Sequence, residues 1–370
     1  MSADVRPAAL PQALADLGWT ARLATEFQPH AASGLSAGRV VVEERGLVHV
    51  ATDRGEMPAT LAGRLRREAE LDPEAILPAV GDWVALADGA GGAGVVQAVL
   101  PRSSAIVRRA PSDHARPTQV LAANVDVAFV VQSMNRDFNV RRLERYLATA
   151  WESGARPVVV LSKSDLGLDP DGTRLAAEAA APGVEVVTAS AVTGEGLADV
   201  RRHLGPGSTV VFLGSSGVGK SSLVNALAGE ALLATAAVRE DDARGRHTTT
   251  RRQLVRLAAG LVIDTPGLRE LGLADTAGLA ETFDDVETLA ARCRFSDCRH
   301  HGEPGCEVRR SVADGRLSAD RLAAFRKLER EARRAAMASD VVARKRERRR
   351  WSVLMKDVSR QMDLKYGRER

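Results

Sequence analysis

Val210-Val211-Phe212-Leu213-Gly214-Ser215-Ser216-Gly217-Val218-Gly219-Lys220-Ser221-Ser222-Leu223-Val224-Asn225-Ala226-Leu227 decides the fold of this chain. The first four residues form an apolar run with the length of a buried strand. Gly214 to Ser221 fit G-x-x-x-x-G-K-[ST], a phosphate-binding loop. The stretch after it has a helical pattern and is stopped by Gly229. Strand, glycine loop and helix in this order turn successive main-chain N–H groups toward one phosphate group, and the helix adds its positive end. Lys220 is placed to neutralise the β- and γ-phosphates, and the Ser221 hydroxyl to hold Mg²⁺. Gly214, Ser215, Ser216, Gly217, Val218, Gly219, Lys220, Ser221 and Ser222 are therefore the candidate phosphate contacts.

Upstream of the loop, strand and helix patterns alternate. Val125–Val131 reads as a strand buried on both faces. Leu143, Tyr146, Leu147 and Ala150 then share one helix face. Pro157–Leu161 is the next buried strand, followed by a helix near Arg174–Ala180, a strand at Val184–Val187 and a helix at Leu197–Leu204. Such alternation predicts an α/β fold with a parallel sheet covered on both faces, and its sites lie beyond the carboxyl ends of the strands. Downstream, a polar stretch from Arg239 to Thr250 precedes a hairpin, Gln253–Leu257 and Leu261–Ile263. That hairpin ends in Asp264-Thr265-Pro266-Gly267, fifty residues after Gly214. This is a D-x-x-G, in which Asp264 holds a Mg²⁺ water and the Gly267 N–H meets the γ-phosphate.

The glycine loop leaves the base open. Ser162-Lys163-Ser164-Asp165 resembles the [NT]-K-x-D signature of guanine recognition. A carboxylate at Asp165 accepts both guanine N1–H and N2–H₂, a donor pair that adenine lacks. The Lys163 stem covers the base face. Ser162 stands where the signature usually has Asn; its shorter side chain alters the link to the glycine loop, while base selection rests on Asp165. Ser190-Ala191 resembles the motif whose main-chain N–H meets guanine O6. In most GTPases the phosphate loop comes first and the base motifs last; here the base motifs come first. The same sheet results if the old termini are joined and new ones opened elsewhere. Two rivals stand beside a GTPase: an ATPase or small-molecule kinase, and an RNA-binding module whose nucleotide fold is only structural.

The 370 residues are enough for two or three domains. Aromatics make up only 4%, so the core must come from Val, Leu and Ala. Residues 1 to 35 are Ala-rich, with a short helix expected around Leu10–Leu17. Strands at Val40–Val42, Leu47–Val50, Pro78–Leu86 and Val95–Leu100, separated by Gly turns, predict a small barrel such as an OB-fold. Arg102, Arg108, Arg109 and Arg116 cluster at its end. They suit a nucleic-acid surface or a solvated face equally well. Residues 1–10 show no signal-peptide pattern and no apolar run has the length of a membrane span. A reducing, cytoplasmic setting and no membrane partner are expected.

The only three cysteines fall in Cys293-x₄-Cys298-x-His300-x₅-Cys306, a Cys₃His set for structural Zn²⁺, with His301 a competing imidazole. Four filled positions leave no open place for catalysis. The metal is expected to staple a small, loop-rich module with no core of its own. Helices are predicted over Leu317–Ala336 and Val341–Leu364. From Ala319 to Arg370 there are 17 Lys and Arg against 8 Asp and Glu, so this end is strongly basic while the rest of a chain of net charge +4 is acidic. An RNA-phosphate contact fits that excess better than a membrane surface, since the apolar face is thin.

Taken together, the chain resembles the circularly permuted, ribosome small-subunit-dependent GTPases of the RsgA (YjeQ) family. Ala122–Asp126, Ser162–Asp165, Gly214–Ser222, Gly245–Thr250, Asp264–Gly267 and the Cys/His cluster carry the likeness, over roughly residues 36 to 370. The resemblance implies an N-terminal OB-fold barrel (36–118, after an extension 1–35), a permuted P-loop GTPase with a parallel sheet (119–285) and a zinc-binding, basic helical domain (286–370). It also implies GTP hydrolysis to GDP stimulated by the 30S subunit and its rRNA, late in that subunit's maturation. A monomer is expected. Leu268 stands where other GTPases place a water-orienting Gln. Slow hydrolysis alone follows, with His247 as the candidate to orient or deprotonate water. Among Thr248, Thr249 and Thr250, Thr249 is favoured as the Mg²⁺ contact.

Overall fold

The structure, a computed structural model, describes residues 12–44, 47–72, 75–109, 118–135, 137–233, 252–264 and 277–334. Its first sheet elements are β1 (Ser36–Glu44), β2 (Leu47–Thr52), β3 (Gly55–Leu61), β4 (Trp83–Asp88) and β5 (Gly94–Val99). They pair in the order β1-β2-β3-β5-β4, and β4 returns to β1, closing a five-stranded barrel. Only the β3–β5 pairing is parallel. This is the order of an OB-fold. Val40, Val50, Ala59, Val84 and Val96 fill the inside. The expected strand Pro78–Leu86 begins only at Trp83, because Pro78 to Asp82 form a turn. The expected N-terminal helix is Gln12–Ala15, and a longer one, Ala21–Ala32, follows it.

A second hairpin, β6 (Ala105–Arg109) with β7 (Thr118–Ala123), leads into the nucleotide sheet. That sheet contains β8 (Val127–Ser133), β9 (Arg156–Ser162), β10 (Val186–Ala189), β11 (Thr209–Leu213), β12 (Arg252–Leu257) and β13 (Gly260–Asp264). Its order is β10-β9-β8-β11-β13-β12, all parallel except β12. From β8 the chain runs outward through β9 and β10, then crosses back to β11 on the other side of β8. The crevice between β8 and β11 is thus the point where strand order reverses, the usual ligand position in an open parallel sheet. The central strands β8, β9 and β11 are built mainly of Val, Leu, Ala and Phe and are buried almost throughout, as a sheet covered on both faces requires.

β12 also pairs with β1, at Val42↔Gln253 and Glu43↔Arg252, so barrel and nucleotide sheet form one sheet. Arg252 adds an ion pair to Glu43 at 2.9 Å. A buried arginine finishes the junction. Arg39 donates to the carbonyls of Leu17, Gly81 and Asn124, which belong to the N-terminal segment, the barrel and the entry to the nucleotide sheet. Burial pulls its pKa down to about 10. Arg102 is no part of an open basic face: its guanidinium grips the fully buried Asp82 through both carboxylate oxygens, at 2.8 and 2.6 Å. Arg116 lies outside the described residues.

The C-terminal module has a core after all. Leu279, Phe283, Val286, Val308, Leu317, Leu322, Phe325 and Leu328 pack together with Cys306, and Ala148 of helix Val140–Glu152 joins them. Gly278 lies against that helix; a Cβ there would sit 1.9 Å from the Ala148 carbonyl oxygen. Residues 319–334 are helical, and the expected helix Val341–Leu364 lies outside the described residues.

Arg321 locks the module in place. It pairs with Asp285 and with Glu144, which is 1% exposed, donates to the Thr282 carbonyl at 2.7 Å, and stands 4.3 Å over the Phe283 ring. Arg145 and Glu331 add a second, two-pronged pair. Removing one member of a buried ion network strands its partner. Arg321→Met is therefore expected to cost about 3–5 kcal/mol in denaturant unfolding. A loss under about 1 kcal/mol would mean that Arg141, also paired with Glu144, satisfies that carboxylate alone.

Candidate functional site

Strand register assembles the site. Leu213 is level with Val130, Val211 with Ile263, Ser133 with Ser162, and Ser162 with Ala189. Gly214, Lys163, Ser190 and Asp264 therefore leave the same edge of the sheet, although Lys163 and Ser190 precede Gly214 in the chain. Four of the five predicted loops begin there.

Gly214, Gly217 and Gly219 have φ of 149°, 81° and 97°. At Gly214 a Cβ would lie 2.5 Å from the Val131 carbonyl oxygen, so the loop hugs β8 only as glycine. Val218 is buried beneath the loop, while Ser216 and Gly217 are exposed at its mouth. Helix Lys220–Ala228 starts directly after Gly219 and presents its first N–H groups to the mouth. Ser221 and Ser222 occupy that first turn. The Lys220 ammonium donates to the carbonyls of Gly214 at 2.8 Å and Ser215 at 2.6 Å. It is held across the opening where the β- and γ-phosphates of a nucleotide would sit.

The base loop is tied to the phosphate loop by the residue that departs from the usual signature. The Ser162 hydroxyl donates to the Val218 carbonyl at 2.5 Å and lies 3.2 Å from that of Gln132. A shorter side chain suffices because Ser162 is 1% exposed, at the sheet edge itself. Lys163 sits in the left-handed region, φ 56°, and reaches back to the Gly217 carbonyl at 2.7 Å. Asp165 follows in a single 3₁₀ turn, Ser164–Leu166. Its Oδ1 accepts from the fully buried Ser190 hydroxyl at 2.6 Å, which also accepts from the N–H groups of Val192 and Thr193. Ser164 donates to Glu195 at 3.1 Å, and Ala191 begins the loop that those bonds shape. Ser162, Lys163, Asp165, Ser190 and the glycine loop are thus one hydrogen-bonded unit.

Asp264 ends β13 opposite Gln253, at the same edge. Gly267, His247 and Thr249 lie outside the described residues, as does Leu268. One contact was not anticipated. Arg142, in the first turn of helix Val140–Glu152, donates to the Ser215 hydroxyl at 2.9 Å. Asn139 caps that turn by accepting from the Arg142 N–H at 3.0 Å. The Asn at the helix start marks the turn in the sequence, but nothing local reveals that it ends beside β11.

Further along the chain, Cys293, Cys298, His300 and Cys306 offer ligand atoms all within 4.8 Å of one another. The Cys293 and Cys306 sulfurs are 3.9 Å apart, and His300 Nδ1 lies 3.7 and 3.5 Å from them. A tetrahedron with metal–sulfur arms of about 2.3 Å has edges of about 3.8 Å, so the donor set fits Zn²⁺ without rearrangement. Burial lowers the His300 pKa, a shift toward the neutral imidazole that binds metal. The loop is shaped by Glu303, which accepts from the N–H groups of Arg299, His301 and Gly302. Main-chain donors, its own N–H and that of Gly302 first, hold its pKa at about 2. His301 spends its N–H there, and His300 is the imidazole that faces the sulfurs.

The site has counterparts. Residues 99–274 match the family model described as RsgA GTPase. The small ribosomal subunit biogenesis GTPase RsgA of Opitutus terrae is 48% identical, across 92% of this chain and 95% of its own. That of Streptomyces avermitilis is 44% identical, across 96% and 95%. Among solved structures, YjeQ from Thermotoga maritima superposes with a TM-score of 0.60 at 27% identity, covering 80% of this chain and 98% of that one. YloQ, a circularly permuted GTPase, superposes with a TM-score of 0.58, covering 81% and 95%; at 24% identity it speaks for the fold alone. Among the described residues no helix is long and apolar enough to cross a membrane.

Proposed function

Since the chain belongs to the RsgA family of GTPases, we propose that it hydrolyses GTP on the small ribosomal subunit, in that subunit's assembly. GTP hydrolysis is the family's chemistry. The observation that carries the reading is the tie between the base loop and the phosphate loop, Ser162 to Val218 and Lys163 to Gly217, which fixes one nucleotide across both. Asp165, held by Ser190, takes the guanine edge, and the Ser190-Ala191 loop meets its O6. Gly214 to Ser222 enclose the phosphates, with Lys220 on the β- and γ-groups. Ser221 and Asp264 would hold Mg²⁺, which when bound neutralises charge on the β- and γ-oxygens. With Leu268 in place of Gln, water orientation falls to His247, with Thr249 on the metal side. The ribosomal particle completes that arrangement.

The barrel and the basic end of the chain would grip rRNA through phosphate contacts, which need no base readout. Such an enzyme works in the cytoplasm. The test is GTP turnover with and without purified 30S subunits. The expected result is slow turnover alone and a rise of about a hundredfold or more with 30S, the scale of a catalytic group supplied in trans. An unchanged rate would remove the ribosomal role.

The Cys₃His cluster is read as one structural zinc site. Cys306 is both a ligand and the N-cap of helix Glu307–Ala313, its sulfur 3.5 Å from the Arg309 N–H. Cys306→Ser is expected to empty the site and lower the melting temperature of the C-terminal module, because metal affinity here is folding energy. Metal analysis of the purified variant checks this; one zinc per chain retained would refute the assignment.

A further inference from the structure

Helix Val140–Glu152 touches the glycine loop at one end and the C-terminal module along its flank. Arg142 forks between two acceptors: Nη1 donates to the Ser215 hydroxyl at 2.9 Å and Nη2 to the Asp137 carbonyl at 3.0 Å. Ser215 is a node, since its carbonyl accepts from the Lys220 ammonium at 2.6 Å while its hydroxyl accepts from Arg142. The segment Arg142 holds is therefore the one that seats the lysine of the β- and γ-phosphates. A guanidinium positions its partner only if its own helix is fixed. Here Glu144 is clamped by Arg321, Arg145 pairs with Glu331, and Ala148 abuts Gly278. All three lie within two turns of Arg142 on the same helix.

We propose that Arg142 is a positioning residue of the nucleotide site: through Ser215 it sets where Lys220 meets the γ-phosphate, and so the preference for GTP over GDP. The proposal rests on the reading of this loop as a GTP site. Lys does not replace Arg here, because one ammonium on a flexible stem does not hold two acceptors in a planar fork. Loss of the fork frees the Ser215 segment, which matters most for the ligand with one more phosphate.

The experiment measures GTP and GDP dissociation constants with fluorescent analogues on the full chain, without ribosomes. The proteins are wild type, Arg142→Gln, Arg142→Lys, Ser215→Ala and the double variant Arg142→Gln/Ser215→Ala. Arg142→Gln is expected to weaken GTP about tenfold, the size of one charge-assisted hydrogen bond, and GDP no more than about twofold. Arg142→Lys falls between wild type and Arg142→Gln. Ser215→Ala moves the same way, and the double variant is no worse than Arg142→Gln, because both remove one contact. If Arg142→Gln does not fold, Arg142→Lys and Ser215→Ala carry the test. Unchanged affinities would overturn the proposal. So would an equal loss for both nucleotides with additive single effects, the mark of a merely structural arginine. Wild-type protein that fails to bind GTP at all would instead sink the GTPase reading.

Discussion

Asp165→Asn will turn a guanine binder into a xanthine binder. Guanine offers N1–H and N2–H₂ side by side, and only a carboxylate accepts both. An amide keeps one acceptor and adds a donor, which suits the xanthine 2-oxo group. The swap is clean because the amide oxygen would still accept the Ser190 hydroxyl that now rests on the Asp165 Oδ1 at 2.6 Å. Losing a charge-assisted hydrogen bond and stranding a donor pair costs enough for about a hundredfold fall in GTP affinity. Competition of XTP and GTP for a fluorescent nucleotide checks this, and an unaltered guanine preference would discard Asp165 as the base reader.

Lys220→Ala will leave a folded protein that holds no nucleotide. The ammonium donates to the Gly214 and Ser215 carbonyls at the half-buried mouth, and Ala is a strong helix former at a helix start. A change of only a few degrees in melting temperature is expected, while GTP affinity falls by at least about a hundredfold, because no other side chain of the loop is cationic. Calorimetric titration at high protein concentration decides it; near-normal GTP affinity would mean that the phosphates sit elsewhere.

Much of this site was legible because its signals are local. The glycine loop, the loops after β9 and β10 and the Cys/His cluster each carry their chemistry within a dozen or so residues. Three kinds of feature were not. The strand Gly55–Leu61 carries Pro58 and two exposed leading residues, and its partner β5 is set by barrel closure rather than by its own pattern. Helix Ala21–Ala32 holds Pro29 in its interior; its Phe27 packs edge-on at 5.7 Å against Trp19, which lies outside the helix. Charged residues were the hardest. Arg39, Arg102, Arg142 and Arg321 look alike in a sequence rich in arginine, yet one seals a junction, one neutralises a buried aspartate, one holds the glycine loop and one anchors a module. Their roles come from long-range acceptors, 20 to 177 residues away. Ser162 shows the converse: its substitution was visible, and only the sheet edge explains why a hydroxyl is long enough.

The pairing of β12 with β1 has a last implication. A nucleotide sheet standing alone would end at β12 with a row of open N–H and C=O groups, an invitation to stray strands. Strand β1 of the barrel takes part of that row, at Val42↔Gln253 and Glu43↔Arg252, so the barrel's heading relative to the glycine loop is set in part by main-chain pairing, with Arg39 and the Glu43–Arg252 ion pair beside it. Exposed residues on the barrel's outer surface can therefore vary one by one with little effect on the direction in which it points.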